Sequence, residues 1–317
     1  MIEKWINWQI DYLIVLENFR EITNHIFDDF FIYSTRFGEM IAPILVVSLI
    51  YWCISKKSGI YILFSILTGF ILNFAIKVTA CIYRPWILCS NINPIEEAMA
   101  YAGGYSFPSG HSTNATTVWG GISVSFWKNP FAKLFLLIIP IVMFSRNYVG
   151  VHTPQDVFVG FIVGLVALFI IHKILKWEEN GKNRDIILLI ITTLFSVLLV
   201  FYSAFKSYPM DYVNGEILYD PSDNIFYLLS RIGGILGILW GWFIEKRFIN
   251  FEIKNSNFIK KLLRFVIGAG ILCILHHYLP SLLINTLGKG CGEAISFFIL
   301  GFFITGLYPL IIKLTKI

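Results

Sequence analysis

Charge is scarce in this chain. Of 317 residues only 14% are Asp, Glu, Lys or Arg, while 56% are hydrophobic and 17% aromatic; an ordinary soluble domain carries ~25% charged residues. Twenty acidic and 25 basic side chains cannot cover a globule of this size, so a soluble globular fold is excluded and the bilayer must solvate most of the surface. The net charge of +5 is small, and no run of like charge is long enough to form a nucleic-acid track, which removes nucleic acid as a partner. Cysteine is sparse too. Cys53, Cys81, Cys89, Cys273 and Cys291 lack ligand spacing, so zinc and redox motifs find no support and the five read as apolar membrane thiols. The opening Met-Ile-Glu-Lys-Trp has no basic stretch followed by a continuous apolar run, so it does not read as a cleavable signal peptide.

What is present in quantity is long apolar runs. About 30 Å of hydrocarbon takes roughly 20 apolar helical residues, and only helices or closed barrels satisfy the backbone in lipid. The expected fold is therefore all-α, a polytopic membrane helix bundle. Nine spans are predicted, at about 38–55, 58–78, 109–127, 131–147, 153–174, 186–205, 224–244, 264–280 and 291–312. Residues 1–18 mix Ile2, Trp5, Ile6, Leu13 and Leu16 with Glu3, Lys4, Asp11 and Glu17, the pattern of a helix lying in the interface. Sixteen of the 25 basic residues, from Lys56 and Lys57 through Lys246 and Arg247 to Lys316, fall in one set of loops. Lys and Arg are retained on the cytoplasmic side, so that set marks the cytoplasm, with the N-terminus outside and the C-terminus inside. The organisation expected is an interfacial segment (1–36), a core (37–176) and a four-helix membrane extension (177–317).

Three segments place polar and cationic groups at span ends. Lys77, six residues, then Arg84-Pro85 close the second span; Pro108-Ser109-Gly110-His111 open the third; Ser145-Arg146 end the fourth, followed by His152 and Asp156 as the fifth begins. Up-and-down topology brings all three to one membrane face. Three permanent cations and a Ser-Gly helix start, whose free N–H groups and dipole favour an anion, make a phosphate cradle. Two imidazoles add a nucleophile and a proton donor for the leaving oxygen. Asp156, one helical turn after His152, can reach that imidazole and fix its tautomer.

These three motifs, at full length and spacing, resemble those of the type-2 phosphatidic acid phosphatase superfamily of membrane phosphatases, over about residues 37–165. The resemblance implies that His152 is the nucleophile forming a phosphohistidine, Asp156 its orienter, and His111 the general acid and later base. It implies that Lys77, Arg84, Ser109, Gly110 and Arg146 hold the phosphoryl oxygens, and that neither a metal nor another cofactor is needed. The nine-span layout is more similar to the glucose-6-phosphatase and sphingosine-phosphate phosphatase branches, and the run from Ser145 to His152 is similar to the latter.

The activity expected is hydrolysis of a lipid phosphate or diphosphate at the extracytoplasmic face, with membrane lipids as surroundings and undecaprenyl diphosphate, phosphatidic acid, phosphatidylglycerol phosphate or a sphingoid phosphate as candidate substrates. A phosphatase of a soluble ester such as a sugar phosphate is the alternative, and a non-enzymatic transporter or scaffold another. Abundant Ile, Phe, Lys and Asn suit an AT-rich bacterial genome, hence a bacterial cytoplasmic membrane. Arg231, His276, His277 and Glu293 fall in the outer halves of the last three spans, where ionisable groups are costly unless paired or hydrated; they are read as a candidate headgroup pocket, or as an Arg231–Glu293 pair with helix-packing histidines. Gly233, Gly234, Gly237 and Gly241 predict close helix contact.

Overall fold

The computed structural model describes residues 2–39, 41–100, 102–213, 216–253 and 257–315. The side chains of Ile2, Glu3, Lys4, Trp5 and Ile6, part of the expected interfacial pattern, lie outside the described residues. The fold is helical, with a single two-residue antiparallel ladder, Tyr212–Val213 with Glu216–Ile217, among the described residues. Among the described residues, six helical stretches are long and apolar enough to cross a membrane: Lys56–Leu88, Pro130–Tyr148, Pro154–Glu179, Arg184–Phe205, Ser222–Ile249 and Lys289–Thr315. The pair Asp28–Gly38 and Ile41–Ile54 makes a seventh if it is one span.

The expected count of nine is not reached on these criteria. The predicted span 109–127 corresponds to Gly110–Ser125, about 24 Å long at 1.5 Å per residue and so short of the hydrocarbon thickness. The predicted span 264–280 lies within Phe258–Leu287, which carries Lys260, Lys261, Arg264, His276 and His277.

The chain forms two compact units. The first comprises residues 1–44, 61–172 and 208–219. Its helix Gly110–Ser125 contains a π turn at Thr116–Gly120 and buries a row of hydroxyls, Ser112, Thr113, Thr116, Thr117 and Ser123. Small residues let backbones approach and let hydroxyls bond across helices. Thr113 Oγ1 donates to Gly160 O at 2.9 Å, Asn73 Nδ2 donates to Thr113 Oγ1 at 2.9 Å, and a Cβ at Gly164 would collide with Thr116. Helix Ile2–Ile22 docks through polar contacts: Gln9, itself buried, bonds both the side chain and the backbone N–H of Gln155, and Arg20 donates to Asn93 O. Leu13 and Leu16 pack on Ile92 beside them. The segment 208–219 joins this unit through Tyr83, which donates to Asp211, and through Tyr208 and Tyr219, whose rings lie on Tyr105.

The second unit comprises residues 45–60, 173–207 and 220–317. Ser222–Ile244 packs backbone to backbone on Lys289–Phe302: a Cβ at Gly233 or Gly237 would drive into the carbonyls of Ala294 or Phe298. Basic residues assigned to the cytoplasmic loops are paired here, Lys56 with the fully buried Glu245 at 2.6 Å, Arg247 with Asp185 through Nε and Nη2, and Lys246 with Glu178. Arg231 and His276 both lie against Phe297, and Arg231 also covers the Tyr227 ring. His277 contacts Tyr278 instead, and no ion pair joins Arg231 to Glu293 among the described residues.

Candidate active site

All three sequence motifs converge within the first unit. They sit at matching ends of their helices: Lys77 near the C-terminus of Lys56–Ala80, Ser109 at the start of Gly110–Ala115, Arg146 near the C-terminus of Ile138–Tyr148, and Asp156 in the first turn of Pro154–Glu179. The centre is His152, 2% exposed and therefore costly to ionise. Its Nδ1 lies 3.3 Å from Asp156 Oδ2, and its Nε2 lies 2.9 Å from Arg84 Nη1. Because a guanidinium only donates, Nε2 must carry the lone pair and Nδ1 the proton, which then points at Asp156. Burial first, then the charges of Arg84, Arg146 and Lys77, hold the His152 imidazole well below its ordinary pKa, so it is neutral at pH 7.

Asp156 is over-determined. Besides His152 it accepts the Thr153 backbone N–H at 2.9 Å and the Ser106 hydroxyl at 2.5 Å, and Ser106 Oγ also lies 3.3 Å from His152 Nδ1. Ser106 thus braces the histidine–aspartate pair from a loop that local periodicity does not mark; its one sequence signal is adjacency to Pro108-Ser109-Gly110-His111. Asn147 Nδ2 holds His152 O at 2.8 Å from the other side.

The cations are placed differently from one another. Arg84 donates through Nε to Gly104 O, through Nη2 to Gly103 O, and through Nη1 to Val151 O as well as to His152. Lys77 donates to the carbonyls of Tyr105, Ser106 and Pro108 at 2.7, 3.1 and 2.9 Å, which uses all three of its N–H groups and shapes the loop that carries Ser106. Arg146 is 0% exposed, yet among the described residues only its Nη1 has a partner, Thr35 Oγ1 at 2.6 Å, while Nε and Nη2 are buried without one. Tyr148 donates to Asp28 and stacks on Phe31, which sets the helix Asp28–Thr35 where Thr35 meets Arg146. Thr35 lies in the segment expected to be interfacial.

Ser109 caps its helix, accepting from the Ser112 backbone N–H, and its own N–H is taken by Asp156 O. A Cβ at Gly110 would meet no atom within 4 Å, so the space over this helix start is open. His111 follows, its Nε2 buried and without a partner among the described residues, its backbone walled by Gly38, where a Cβ would lie 2.9 Å from His111 O. A neutral, oriented imidazole, a second imidazole with an unsatisfied nitrogen, and a buried guanidinium with free N–H groups together suit an oxyanion that accepts several hydrogen bonds and reacts at its centre.

Fold and site together define an integral membrane protein of helical type, with a buried histidine–aspartate pair set among arginines. Residues 58–180 match the PAP2 superfamily, and residues 229–317 match the PAP2 superfamily phosphatase transmembrane extension. The chain belongs to the PAP2 superfamily. It is similar to a lipid A 4'-phosphatase of Porphyromonas gingivalis, 24% identical over 157 residues, which are 48% of this chain and 66% of that protein. It is also similar to phosphatidylglycerophosphatase B of Bacillus subtilis (32% over 99 residues; 28% of this chain, 48% of the relative) and to an undecaprenyl-diphosphatase of Sulfolobus acidocaldarius (30% over 134 residues; 42% and 61%). The chain thus spans less than two thirds of the length of each of these relatives. No solved structure matches.

Proposed function

We propose that this protein is a membrane phosphatase that hydrolyses a lipid phosphate or diphosphate at the extracytoplasmic face through a phosphohistidine on His152. The observation that carries the reading is His152 itself: buried, neutral, its proton committed to Asp156 and its lone pair aimed at the guanidinium of Arg84. Nε2 attacks phosphorus, the bond to the leaving oxygen breaks, and His111 gives that oxygen a proton. Asp156 offsets the positive charge that builds on the imidazole, while Arg84 and Arg146 neutralise the phosphoryl oxygens. His111, now a base, takes a proton from water, which displaces histidine from phosphorus and releases inorganic phosphate. The names of the relatives, all phosphatases or diphosphatases of membrane lipids, support a lipid substrate. The excess of Lys and Arg in the opposite loops supports the outward face.

The test is phosphate release by purified protein in detergent with EDTA, over prenyl diphosphates, phosphatidic acid, sphingoid phosphates and glucose 6-phosphate. Release from one or more lipids, undiminished by the chelator, is expected. Release from the sugar phosphate alone would overturn the lipid reading.

Two further outcomes follow from the geometry. The groups around His152 oppose its protonation, so activity persists as pH falls through ~6.5, the ordinary histidine value, and is lost only below it. After correction for the substrate's own second ionisation near pH ~6, kcat/KM should show an acid limb below ~6.5; an acid limb at or above ~6.5 would contradict the assignment. Ser106→Ala removes one brace from Asp156, worth ~1–1.5 kcal/mol, and kcat is expected to drop ~10-fold with KM little changed. Ser106→Thr, which keeps the hydroxyl, should recover most of it.

A further inference from the structure

The loop 103–108 is held along one edge by charge. It turns five carbonyls to two cations, those of Gly103 and Gly104 to Arg84 and those of Tyr105, Ser106 and Pro108 to Lys77. From the same loop the Ser106 hydroxyl donates to Asp156 at 2.5 Å. Carbonyls drawn to a cation fix where the backbone lies but leave it free to roll about its own length, and a hydrogen bond that short tolerates little roll. The roll is fixed at the neighbouring ring, Tyr105.

Tyr105 is 1% exposed, and three tyrosines pack on it. Tyr83 lies 5.7 Å away between ring centroids, Tyr219 meets the ring edge-on at 4.9 Å, and Tyr208 stacks at 6.4 Å. Tyr208 and Tyr219 belong to none of the three sequence motifs. They stand at the two ends of the segment 208–219. Its ladder, Tyr212–Val213 with Glu216–Ile217, and the bond from the Leu218 N–H to Asp211 O at 2.9 Å fold it back on itself, which brings both rings to one target. Tyr83 closes the arrangement by donating to Asp211 Oδ2 at 2.9 Å.

This segment is longer than chain continuity requires. It joins Arg184–Phe205 to Ser222–Ile244, both in the second unit, and helices of a bundle are usually joined by ~2–8 residues. The connection 206–221 is about twice as long as the longest of these, and its middle is part of the first unit. Aromatic pairs prefer defined offsets and tilts, so rings hold a buried neighbour in one orientation where plain backbone contact would let it slide.

We propose that the hairpin 208–219 is a clamp that sets the register of the Ser106 loop, with Tyr208 and Tyr219 as positioning residues that act on the His152–Asp156 pair through Tyr105 and the Ser106 hydroxyl. The effect on rate rests on the phosphatase reading above; the effect on the loop rests on the packing alone. A connection between two helices of the membrane extension thereby serves the chemistry of the core without touching substrate.

The test combines hydrogen exchange and kinetics on the full chain in detergent. The Ser106 N–H, bonded to Ile82 O at 2.7 Å, and the Ser109 N–H, bonded to Asp156 O at 2.9 Å, report the register of the loop without turnover. In Tyr219→Leu the amides of 103–109 are expected to exchange ~10-fold faster or more, with those of Arg184–Phe205 unchanged. In the same variant kcat should drop ~5-fold or more with KM within ~2-fold, and Tyr219→Phe, which keeps the ring, should restore both readouts. Adding Tyr219→Leu to Ser106→Ala should lower kcat by less than a further ~2-fold, because the two act through one hydroxyl. Where Tyr219→Leu does not fold, Tyr208→Leu takes its place. Unchanged exchange of 103–109 overturns the clamp. Faster exchange with kcat unchanged, or the full loss repeated in the Ser106→Ala background, overturns its action through Ser106. No phosphate release by the wild type from any lipid, with the exchange response intact, overturns the phosphatase reading and leaves the clamp on the loop standing.

Discussion

Replacing His152 with alanine is expected to lower phosphate release by on the order of 10⁴-fold or more, to the background of the assay. On the proposed mechanism the loss is large because the substitution removes the attacking atom itself, and the remaining cations can only bind. It also strips Arg84 of one acceptor and Asp156 of its imidazole partner in a buried setting, so some stability is lost as well. Folding and chemistry are separated by trapping: wild-type protein quenched during turnover of a radiolabelled substrate should carry an acid-labile, base-stable phosphoryl group, and His152→Ala none. His111→Ala should still accumulate label from a substrate with a good leaving group, because its loss stalls the hydrolysis of the intermediate. Label on a serine, stable to acid, would sink the proposed nucleophile.

The two arginines should separate stability from activity. Arg84 is tied to three carbonyls and to His152, so Arg84→Ala orphans two buried acceptors, Val151 O and His152 Nε2, and unties the Gly103 and Gly104 carbonyls, and is expected to cost several kcal/mol of stability along with activity. Arg146 is fully buried with two of its three guanidinium nitrogens unpartnered, a charge whose burial its own neighbours do little to offset. Arg146→Met, similar in volume and apolar, should therefore leave the melting temperature unchanged or raise it, while phosphate release drops ~10³-fold. Arg146→Lys restores the charge without the fork and should recover only part of the rate. If Arg146→Met melts as early as Arg84→Ala, Arg146 is a structural residue and its place in the phosphate cradle fails.

Much of the site was legible because its chemistry is written in short spacings. Four residues from His152 to Asp156 are one turn, and that pair is bonded. Residues that act across long separations left no such trace. Ser106 meets Asp156 fifty residues on, and Thr35 meets Arg146 across 111. Thr35 also belongs to a stretch read as interfacial, while the structure packs that stretch into the first unit through Phe31 and Asp28 on Tyr148. The span count departs from nine for a related reason. Hydropathy sees an uncharged run at 109–127, but the serines and threonines there are buried against other helices, and the run is shorter than the hydrocarbon is thick. The dense glycines of 233–241 were read as close packing, and a Cβ at Gly233 or Gly237 has nowhere to go, whereas Gly234 makes ordinary contacts.

The short link between Arg84 and His152 Nε2 has a consequence for selectivity among reagents rather than substrates. While the guanidinium occupies that lone pair, a neutral electrophile entering the site must displace a cation that it has nothing to hold with. A tetrahedral oxyanion brings the charge that draws the guanidinium off the nitrogen and onto itself. The guanidinium that makes the imidazole a poor target for stray acylating or alkylating compounds thus yields to the one kind of visitor that can offer Arg84 something better, and the proposed nucleophile is kept in reserve by the arginine proposed to bind its substrate.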